Sequence, residues 1–313
     1  MPYGRELTEE EADDLFRDAD QILASRTAPR KRATNHQMEE RAQFLIKYAY
    51  VHGPVTVRQL FYRAEVEGLP GVEKDESGYI KIQRQVLDLR REGRLPYEQI
   101  ADATRWMRKP HTFSDPTQFL NSSIQLYRKA LWNDIPETVE IWCEKDALAG
   151  VLYQVTELYD VPLMVTRGFS SETFCYEAIA QRHSEDDRPY FVYYLGDFDR
   201  SGVDAASALE EKLQRFAEGK FPVHFEALAV TLEQIAGMQL PTRAHKRESK
   251  ADKNWPYDFA CELDAIPPDD LRNLVETTIE KHLPEEELIR LKRIEEQERD
   301  TLIAFQRGFV VSG

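Results

Sequence analysis

The chain has 313 residues, of which 42% are hydrophobic and 31% charged, and its formal net charge is -15 at pH 7. This length and hydrophobic content suit globular domains with sizeable cores and exclude a disordered chain. The longest apolar runs are strand-sized and the N-terminus lacks the apolar core of a signal peptide, so we expect a cytoplasmic protein without a membrane span. Three cysteines without C-x-x-C spacing favour reduced, structural thiols: Cys143, Cys175 and Cys261.

The negative charge is unevenly divided along the chain. From Arg26 to Lys129 there are 19 Lys and Arg against 12 Asp and Glu, a balance of about +7, whereas the remainder holds 22 against 44, about -22. An acidic protein with one basic region can still bind a phosphate backbone if it presents the basic face. The net charge therefore does not exclude nucleic acid as a partner.

Residues 1–36 form the first predicted segment. Apolar residues at helical spacing from Glu6 to Ala24 predict an amphipathic acidic helix, with Thr8 and Glu11 as its capping box. The basic stretch from Ser25 to Gln37 has no periodicity. It is interpreted either as a linker or as an arm that contacts phosphates.

Residues 37–135 are predicted to form a winged-helix DNA-binding domain. A helix is expected from Met38 to Tyr50, a second after the cap Thr56, and a third from Tyr79 to about Arg91. This order, with a basic third helix followed by glycine and proline, is typical of a winged helix, although a three-helix packing module without DNA has the same order. The candidate DNA contacts of the third helix are Lys81, Arg84, Arg90 and Arg91.

The second of these helices carries a candidate nucleophile. Arg58 and Tyr62 are four residues apart and project from one face of the helix. A guanidinium beside a phenol favours the phenolate and can hold a phosphate oxygen while the phenolate attacks. The alternative is that Tyr62 is a rim residue and Arg58 an ordinary surface charge. Phe61 has no hydroxyl and cannot serve as a nucleophile.

Strands and helices alternate through residues 136–240. Strands are predicted at Thr138–Cys143, Pro162–Thr166, Pro189–Leu195 and Val223–Val230, and helices at Asp146–Leu158, Ser170–Arg182 and Val203–Phe216. Such a series predicts an α/β domain with a mostly parallel sheet, helices on both faces, and ligand sites at the carboxyl ends of the strands. In residues 241–313 we expect a polar loop, either a flexible insertion or a DNA contact, followed by two amphipathic helices from Pro267 and Pro284.

Polar side chains follow three of the predicted strands. Glu144 ends the first strand, Arg167 the second, and Asp197 and Asp199 leave the third on the same side. Three carboxylates at one edge of the sheet would suit Mg2+, a hard cation that prefers oxygen ligands and leaves positions for water and phosphate. Asp199 has a second interpretation, because it also precedes a predicted helix and could simply cap it.

These residues resemble a known family. The strand-ending glutamate and the D-x-D resemble the Toprim domain of topoisomerases, bacterial primases and related nucleases, and the matching positions are Glu144, Asp197 and Asp199. The preceding TVRQLFYRAEVEG resembles the winged-helix domain of the topoisomerase VI A subunit and of its relative, the meiotic double-strand-break transesterase. In that family an arginine lies four residues before the catalytic tyrosine, as Arg58 does before Tyr62.

The resemblance spans roughly Met38 to Leu283 and includes VEIWCEKDALAGVL, RGFSS and FACELDAIPP in family order. In its length and acidic N-terminal helix the chain resembles stand-alone mini-A relatives from bacteria and their viruses. Two positions depart from the pattern. Phe61 stands where many relatives have a second tyrosine, and Arg200 to Gly202 replace the usual proline-containing turn.

The resemblance implies a homodimeric, Mg2+-dependent transesterase that cleaves double-stranded DNA, as a topoisomerase or a double-strand-break enzyme associated with the nucleoid. Tyr62 would form a 5′-phosphotyrosyl link, Arg58 would steady the developing charge, and the three carboxylates would hold the metal in the partner subunit. Because no ATP-binding signature occurs, strand passage would need a separate ATPase subunit. Two alternatives stay open: a Toprim nuclease in which water attacks, and a DNA-binding module without catalysis.

Overall fold

The computed structural model describes residues 34–101, 110–180, 182, 187–245 and 255–311. The predicted acidic helix, most of the basic stretch after it and part of the polar loop lie outside these residues. The chain divides into two units, residues 1–40 and 41–313. Apart from the first residues of one helix, everything described below belongs to the second unit.

Three helices follow one another at the start of the described chain, as predicted. They are α1 (Asn35–His52), α2 (Val57–Val66) and α3 (Glu76–Arg91). The capping box of Thr56 starts α2: its Oγ1 accepts from the Gln59 N–H at 3.0 Å, and the Gln59 side chain accepts from the Thr56 N–H at 2.9 Å. Asp75 caps α3 and accepts from the Gly78 N–H at 2.8 Å, so this helix begins earlier than the predicted Tyr79.

The segment after α3 folds back onto the start of α2. Gly93, at φ 71°, lets the chain leave the helix, because only glycine adopts this left-handed conformation without strain. After a single turn at Tyr97–Gln99, Ile100 forms a parallel bridge with Val55. Between residues 92 and 101 the described pairing is this bridge rather than an antiparallel wing. Helix α4 follows at Pro116–Leu126.

The predicted parallel sheet is confirmed. Its strands are β1 (Thr138–Cys143), β2 (Leu163–Val165), β3 (Tyr190–Leu195) and β4 (Val223–Ala229), in the order β2-β1-β3-β4. All pairs are parallel, and the last residue of β1, Cys143, lies opposite Val165 on one side and Leu195 on the other. Because the chain builds outward from β1 first to β2 and then to β3, the strand order reverses between β1 and β3.

Helices connect the strands and cover both faces of the sheet. They are α5 (Asp146–Leu158), α6 (Glu172–Ala180), α7 (Arg200–Ala217) and the short α8 (Leu232–Gly237). Alternation along the strands divides the core in two. On one face Ile141 and Leu195 pack in the cluster that contains α5 and the three-helix module; on the other, Trp142 and Tyr194 pack in the cluster formed with α6 and α7.

The C-terminal part of the chain returns to the carboxyl ends of the sheet strands and then to the helices α1 to α3. The pair β5 (Arg243–Ala244) and β6 (Phe259–Ala260) is antiparallel, and Cys261 bridges to Phe198 just beyond β3. Helices α9 (Pro268–Glu280) and α10 (Glu285–Val311) follow. The side chains of Asp269 on α9 and His52 at the end of α1 are in direct contact, and Arg272 donates to the His52 carbonyl at 2.7 Å.

The structure bears on two expectations from composition, the state of the cysteines and the length of apolar helices. All three cysteines are buried and unpaired, as predicted for structural thiols. In the part of the chain that the structure describes, every helix is too short or too polar to cross a membrane.

Candidate active site

Glu144 and Asp197 meet where the strand order reverses. Glu144 follows β1 and Asp197 follows the neighbouring β3, and the Asp197 N–H donates to Oε2 of Glu144 at 3.0 Å. Gly196 allows this approach. A Cβ added to Gly196 would lie 2.9 Å from that same Oε2 and 2.5 Å from Cε1 of Tyr194, so a larger residue would displace the glutamate. The structure therefore brings two of the three predicted carboxylates together.

Asp199 is engaged differently. Its Oδ1 accepts from the Gly202 N–H at 2.9 Å and caps α7, which is the alternative that the sequence left open. Its Oδ2 accepts from Nη2 of Arg243 at 2.8 Å. Both oxygens of Asp199 are thus occupied by groups of the chain itself.

Lys145 lies among three carboxylates, those of Asp197, Glu262 and Asp264. Its Nζ is 2.9 Å from Oδ1 of Asp197, 2.8 Å from Oδ2 of Asp264 and 3.3 Å from Oε2 of Glu262. Burial alone would lower the pKa of Lys145, but the three carboxylates outweigh it and raise the pKa above its usual value. Lys145 is therefore a fixed positive charge at the carboxyl end of β1.

Arg58 joins the α2 helix to this cluster. Its Nη1 donates to Oε2 of Glu262 at 2.7 Å, and its guanidinium lies 4.7 Å from the centre of the Tyr79 ring. Thr56, the cap of α2, adds a second link by donating to Oδ1 of Asp264 at 3.1 Å. The start of α2 is thus fastened to the segment that follows β6.

Tyr62 lies one turn further along α2 and is buried, with 7% of its surface exposed. Burial raises its pKa, and the Glu262 carboxylate raises it further, whereas Arg58 and Lys145 act in the opposite direction. The net effect is a pKa above the usual value. The predicted stabilisation of the phenolate by Arg58 is present but is outweighed, so Tyr62 is a neutral phenol in this state.

A cleft of about 680 Å³ opens beside these residues. Its walls combine side chains of the helical module, among them Arg58, Tyr79 and Arg90, with Glu144, Lys145, Arg167, Asp197 and Glu262 from the sheet side. Positive and negative groups therefore face one another across a single space, the arrangement expected where a phosphate and a cation are held together.

The predicted basic contacts divide into two groups. Arg90 and Arg167 line the cleft, and Arg167 pairs with Asp146 at 2.6 Å. Lys81 instead donates to the Gly71 carbonyl at 3.0 Å. The other two, Arg84 and Arg91, are exposed on α3 outside the cleft lining.

The net charge of the cluster would be balanced by one divalent cation. Its members are Arg58, Lys145, Arg243, Glu144, Asp197, Asp199, Glu262 and Asp264, which amounts to three cations and five carboxylates. Burial raises the pKa of Glu144 and of Asp197, and in each case Lys145 only partly offsets the effect. These two carboxylates line the cleft and fit Mg2+, which often takes one or two protein carboxylates.

The predicted set of three metal ligands is not assembled, however. Among the residues that the structure describes, no group of three or more His, Cys, Asp or Glu side chains is arranged to hold a metal ion. Asp199, the third predicted ligand, is instead engaged by the Gly202 amide and by Arg243.

Three residues of the site carried no functional assignment from sequence: Lys145, Arg243 and Asp264. Glu262 lies in FACELDAIPP, a segment of the family resemblance, which assigns it no role. The sequence does contain a pattern that indicates a polar site at Glu262 and Asp264, because they are two acids separated by one residue in the otherwise apolar FACELDAI. Arg243 had none, because it lies in a polar stretch without periodicity.

Comparison with known proteins adds no relative. No protein-family model matches the chain, and no curated protein matches it either.

Proposed function

We propose that the protein is a Mg2+-dependent DNA-cleaving transesterase of the topoisomerase VI A-subunit type, with a winged-helix domain before a Toprim domain. One observation carries the proposal. The helix with Arg58 and Tyr62 is fastened by Arg58 to Glu262, beside the strand ends that bear Glu144 and Asp197. The guanidinium of Arg58 and the carboxylates of Glu144 and Asp197 thus line one cleft, and the phenol of Tyr62 lies one turn further along the same helix, buried and outside the cleft lining.

In the proposed reaction the Tyr62 oxygen attacks a phosphorus of the DNA backbone. An O–P bond to Tyr62 forms as the bond to the 3′ oxygen breaks, and the phenol proton passes through water to that oxygen, leaving a 3′ hydroxyl and a 5′-phosphotyrosyl link. Arg58 holds a phosphate oxygen and stabilises the charge that develops on it. A Mg2+ held by Glu144 and Asp197, taken here from the same subunit as Tyr62 rather than from the partner as the family resemblance implies, would supply additional positive charge next to the same phosphate.

The partners belong to the same proposal. We propose double-stranded DNA as substrate and a homodimer as the acting form, as the family resemblance implies. Transesterification conserves the energy of the phosphodiester bond, so cleavage needs no ATP. Strand passage would need a separate ATPase subunit.

The nucleophile is tested with Tyr62→Phe. Supercoiled plasmid, protein and Mg2+ are incubated, stopped with denaturant and run on a gel with and without protease. We expect wild type to leave protein attached to broken strands and Tyr62→Phe to leave none. Tyr50→Phe, which removes the hydroxyl of an exposed tyrosine on α1, is the matched control and should behave as wild type. Equal adduct formation by Tyr62→Phe and wild type would disprove the assignment.

A second candidate function is a Toprim nuclease in which water is the nucleophile. The burial and raised pKa of Tyr62 favour it, since both suit a structural tyrosine. The same gel separates the two functions. The nuclease predicts broken strands without attached protein, unchanged by Tyr62→Phe and abolished by Glu144→Gln. Intact DNA at every divalent-metal concentration would instead indicate a binding module without catalysis.

A further inference from the structure

Three cationic side chains from separate parts of the chain converge on one carboxylate. Glu262 lies 2.7 Å from Nη1 of Arg58 on α2, 3.3 Å from Nζ of Lys145 after β1, and 3.5 Å from Nε of Arg243 on β5. Arg58 and Lys145 contact the same oxygen, Oε2, and Arg243 contacts Oε1. Lys145 also pairs with Asp197 and Asp264, and Arg243 with Asp199, but among the five carboxylates of the cluster Glu262 is the one in contact with all three cations.

The three cations keep access to solvent while Glu262 is largely covered. The side chains of Arg58, Lys145 and Arg243 are 38%, 20% and 32% exposed, against 14% for Glu262. Arg58, Lys145 and Glu262 all line the cleft. An anion entering the cleft would therefore meet Arg58 and Lys145 directly, while Arg243, outside the cleft lining, contacts the other oxygen of Glu262.

We propose that Arg58, Lys145 and Arg243 form a phosphate-binding site, that Glu262 occupies it in the free protein, and that a DNA backbone phosphate displaces the Glu262 side chain. The identity of the anion as a DNA phosphate rests on the proposed function. The site itself rests on the convergence of the three cations.

The exchange is chemically matched. Carboxylates and phosphates both accept paired, charge-assisted hydrogen bonds from guanidinium, and both satisfy an ammonium. The backbone next to Glu262 is held in place, because the Leu263 N–H donates to Oδ1 of Asp197 at 2.8 Å. The displacement we propose is therefore a rotation of the Glu262 side chain. The carboxylate thus weakens phosphate binding by competition and lets only a well-placed phosphate reach Arg58.

The test is Glu262→Gln, with binding measured in EDTA so that neither a metal nor cleavage contributes. A short fluorescent DNA duplex and inorganic pyrophosphate are the two probes. We expect both to bind about tenfold more tightly, the effect of one freed charge-assisted hydrogen bond. Glu287→Gln, which removes a carboxylate from the exposed Glu287–Arg290 pair on α10, controls for net charge and should change neither affinity. Adding Arg243→Gln to Glu262→Gln should remove much of the gain.

Each outcome separates this inference from the proposed function. If pyrophosphate alone binds more tightly, the anion site stands and DNA is not its ligand. If neither probe gains affinity over Glu287→Gln, the displacement model is wrong, while the phosphotyrosyl test keeps its own result. Should Glu262→Gln lose cooperative unfolding, Glu262→Asp replaces it. The shorter side chain keeps the charge but retreats from the cations, so a smaller gain is expected, and no gain would overturn the inference.

Discussion

At the scale of single residues, Lys145 holds the carboxylates of the site in a compact cluster. Replacement by methionine keeps the length of the side chain and removes its charge, leaving Asp197 and Asp264 without their nearest described cation. Removing one partner of a buried ion pair costs roughly 3–5 kcal/mol because the remaining charge stays buried. We expect Lys145→Met to lose about 3 kcal/mol in urea unfolding at neutral pH, the lower end of that range, since Lys145 is partly exposed.

Two further measurements show whether the loss comes from the buried carboxylates. Burial already raises the pKa of Asp197, and without Lys145 that pKa should rise further, which penalises folding only while Asp197 is ionised. The deficit of Lys145→Met should therefore shrink as the pH falls and Asp197 becomes protonated. Lys74→Met removes the cation of the more exposed Lys74–Glu65 pair and should cost much less. A Lys145→Met deficit no larger than that of Lys74→Met would contradict the expected role.

At the scale of elements, the start of α2 is held by Thr56 in two ways. The hydroxyl accepts from the Gln59 N–H and donates to Asp264, and Thr56 is buried. Loss of a threonine cap costs about 0.5–2 kcal/mol, and the Asp264 hydrogen bond adds to it. We expect Thr56→Ala to destabilise the protein by about 2 kcal/mol or more in urea unfolding, and to weaken DNA cleavage because the cap positions the turn that carries Arg58.

The chain supplies a matched control for that cap. Thr231 forms the same capping box with Gln234 at the start of α8. The Thr231 side chain is only half-buried, and the hydrogen bond described for its hydroxyl is the one from the Gln234 N–H. Thr231→Ala should therefore cost less than Thr56→Ala and leave cleavage unchanged. Thr56→Ser, which keeps the hydroxyl, should restore most of both properties. Equal losses for the two alanine variants would show that the link to Asp264 contributes nothing.

Local patterns were sufficient to predict most of these elements. The apolar run of Thr138–Cys143 and the helical spacing of Asp146–Leu158 gave bounds that the structure reproduces, because hydrophobic periodicity reports burial directly. The predicted start of α3, Tyr79, lies three residues after the observed start, Glu76. The cap at Asp75 lies in the polar run KDESG, which contains several possible caps, and the apolar pattern starts only at Tyr79.

The site was predictable only in part. Strand ends of a parallel sheet must share an edge, so the meeting of Glu144 with Asp197 followed from topology. The role of Asp199 did not follow, because one short acidic side chain before a helix serves equally as a cap or as a ligand. The arrival of Arg243 and Glu262 depends on the return of β5 and β6 to the end of β3, a long-range contact that no local pattern encodes.

At the scale of the whole molecule, the excess of negative charge would restrict where DNA, the proposed substrate, can bind. A phosphate backbone is repelled by most of an acidic surface, so binding should depend on the few places where cations face a concave space. The described cleft is such a place, because Arg58, Arg90 and Arg167 line it. The exposed Arg84 lies on the same α3 helix as Arg90 but outside the cleft lining, which makes the two residues a natural comparison.

Arg84 and Arg90 should differ in their effect on the salt dependence of DNA binding. Each phosphate contact releases about one counterion, so losing a contact lowers the slope of log affinity against log salt concentration by roughly 1. We expect Arg90→Ala to lower the slope by about that amount and to weaken binding at low salt, whereas Arg84→Ala should leave the slope unchanged. Fluorescence anisotropy of a duplex between about 50 and 200 mM salt measures both. If Arg84→Ala lowered the slope and Arg90→Ala did not, the DNA would lie along the outer face of α3, and Arg58 would be too far from the backbone to act on it.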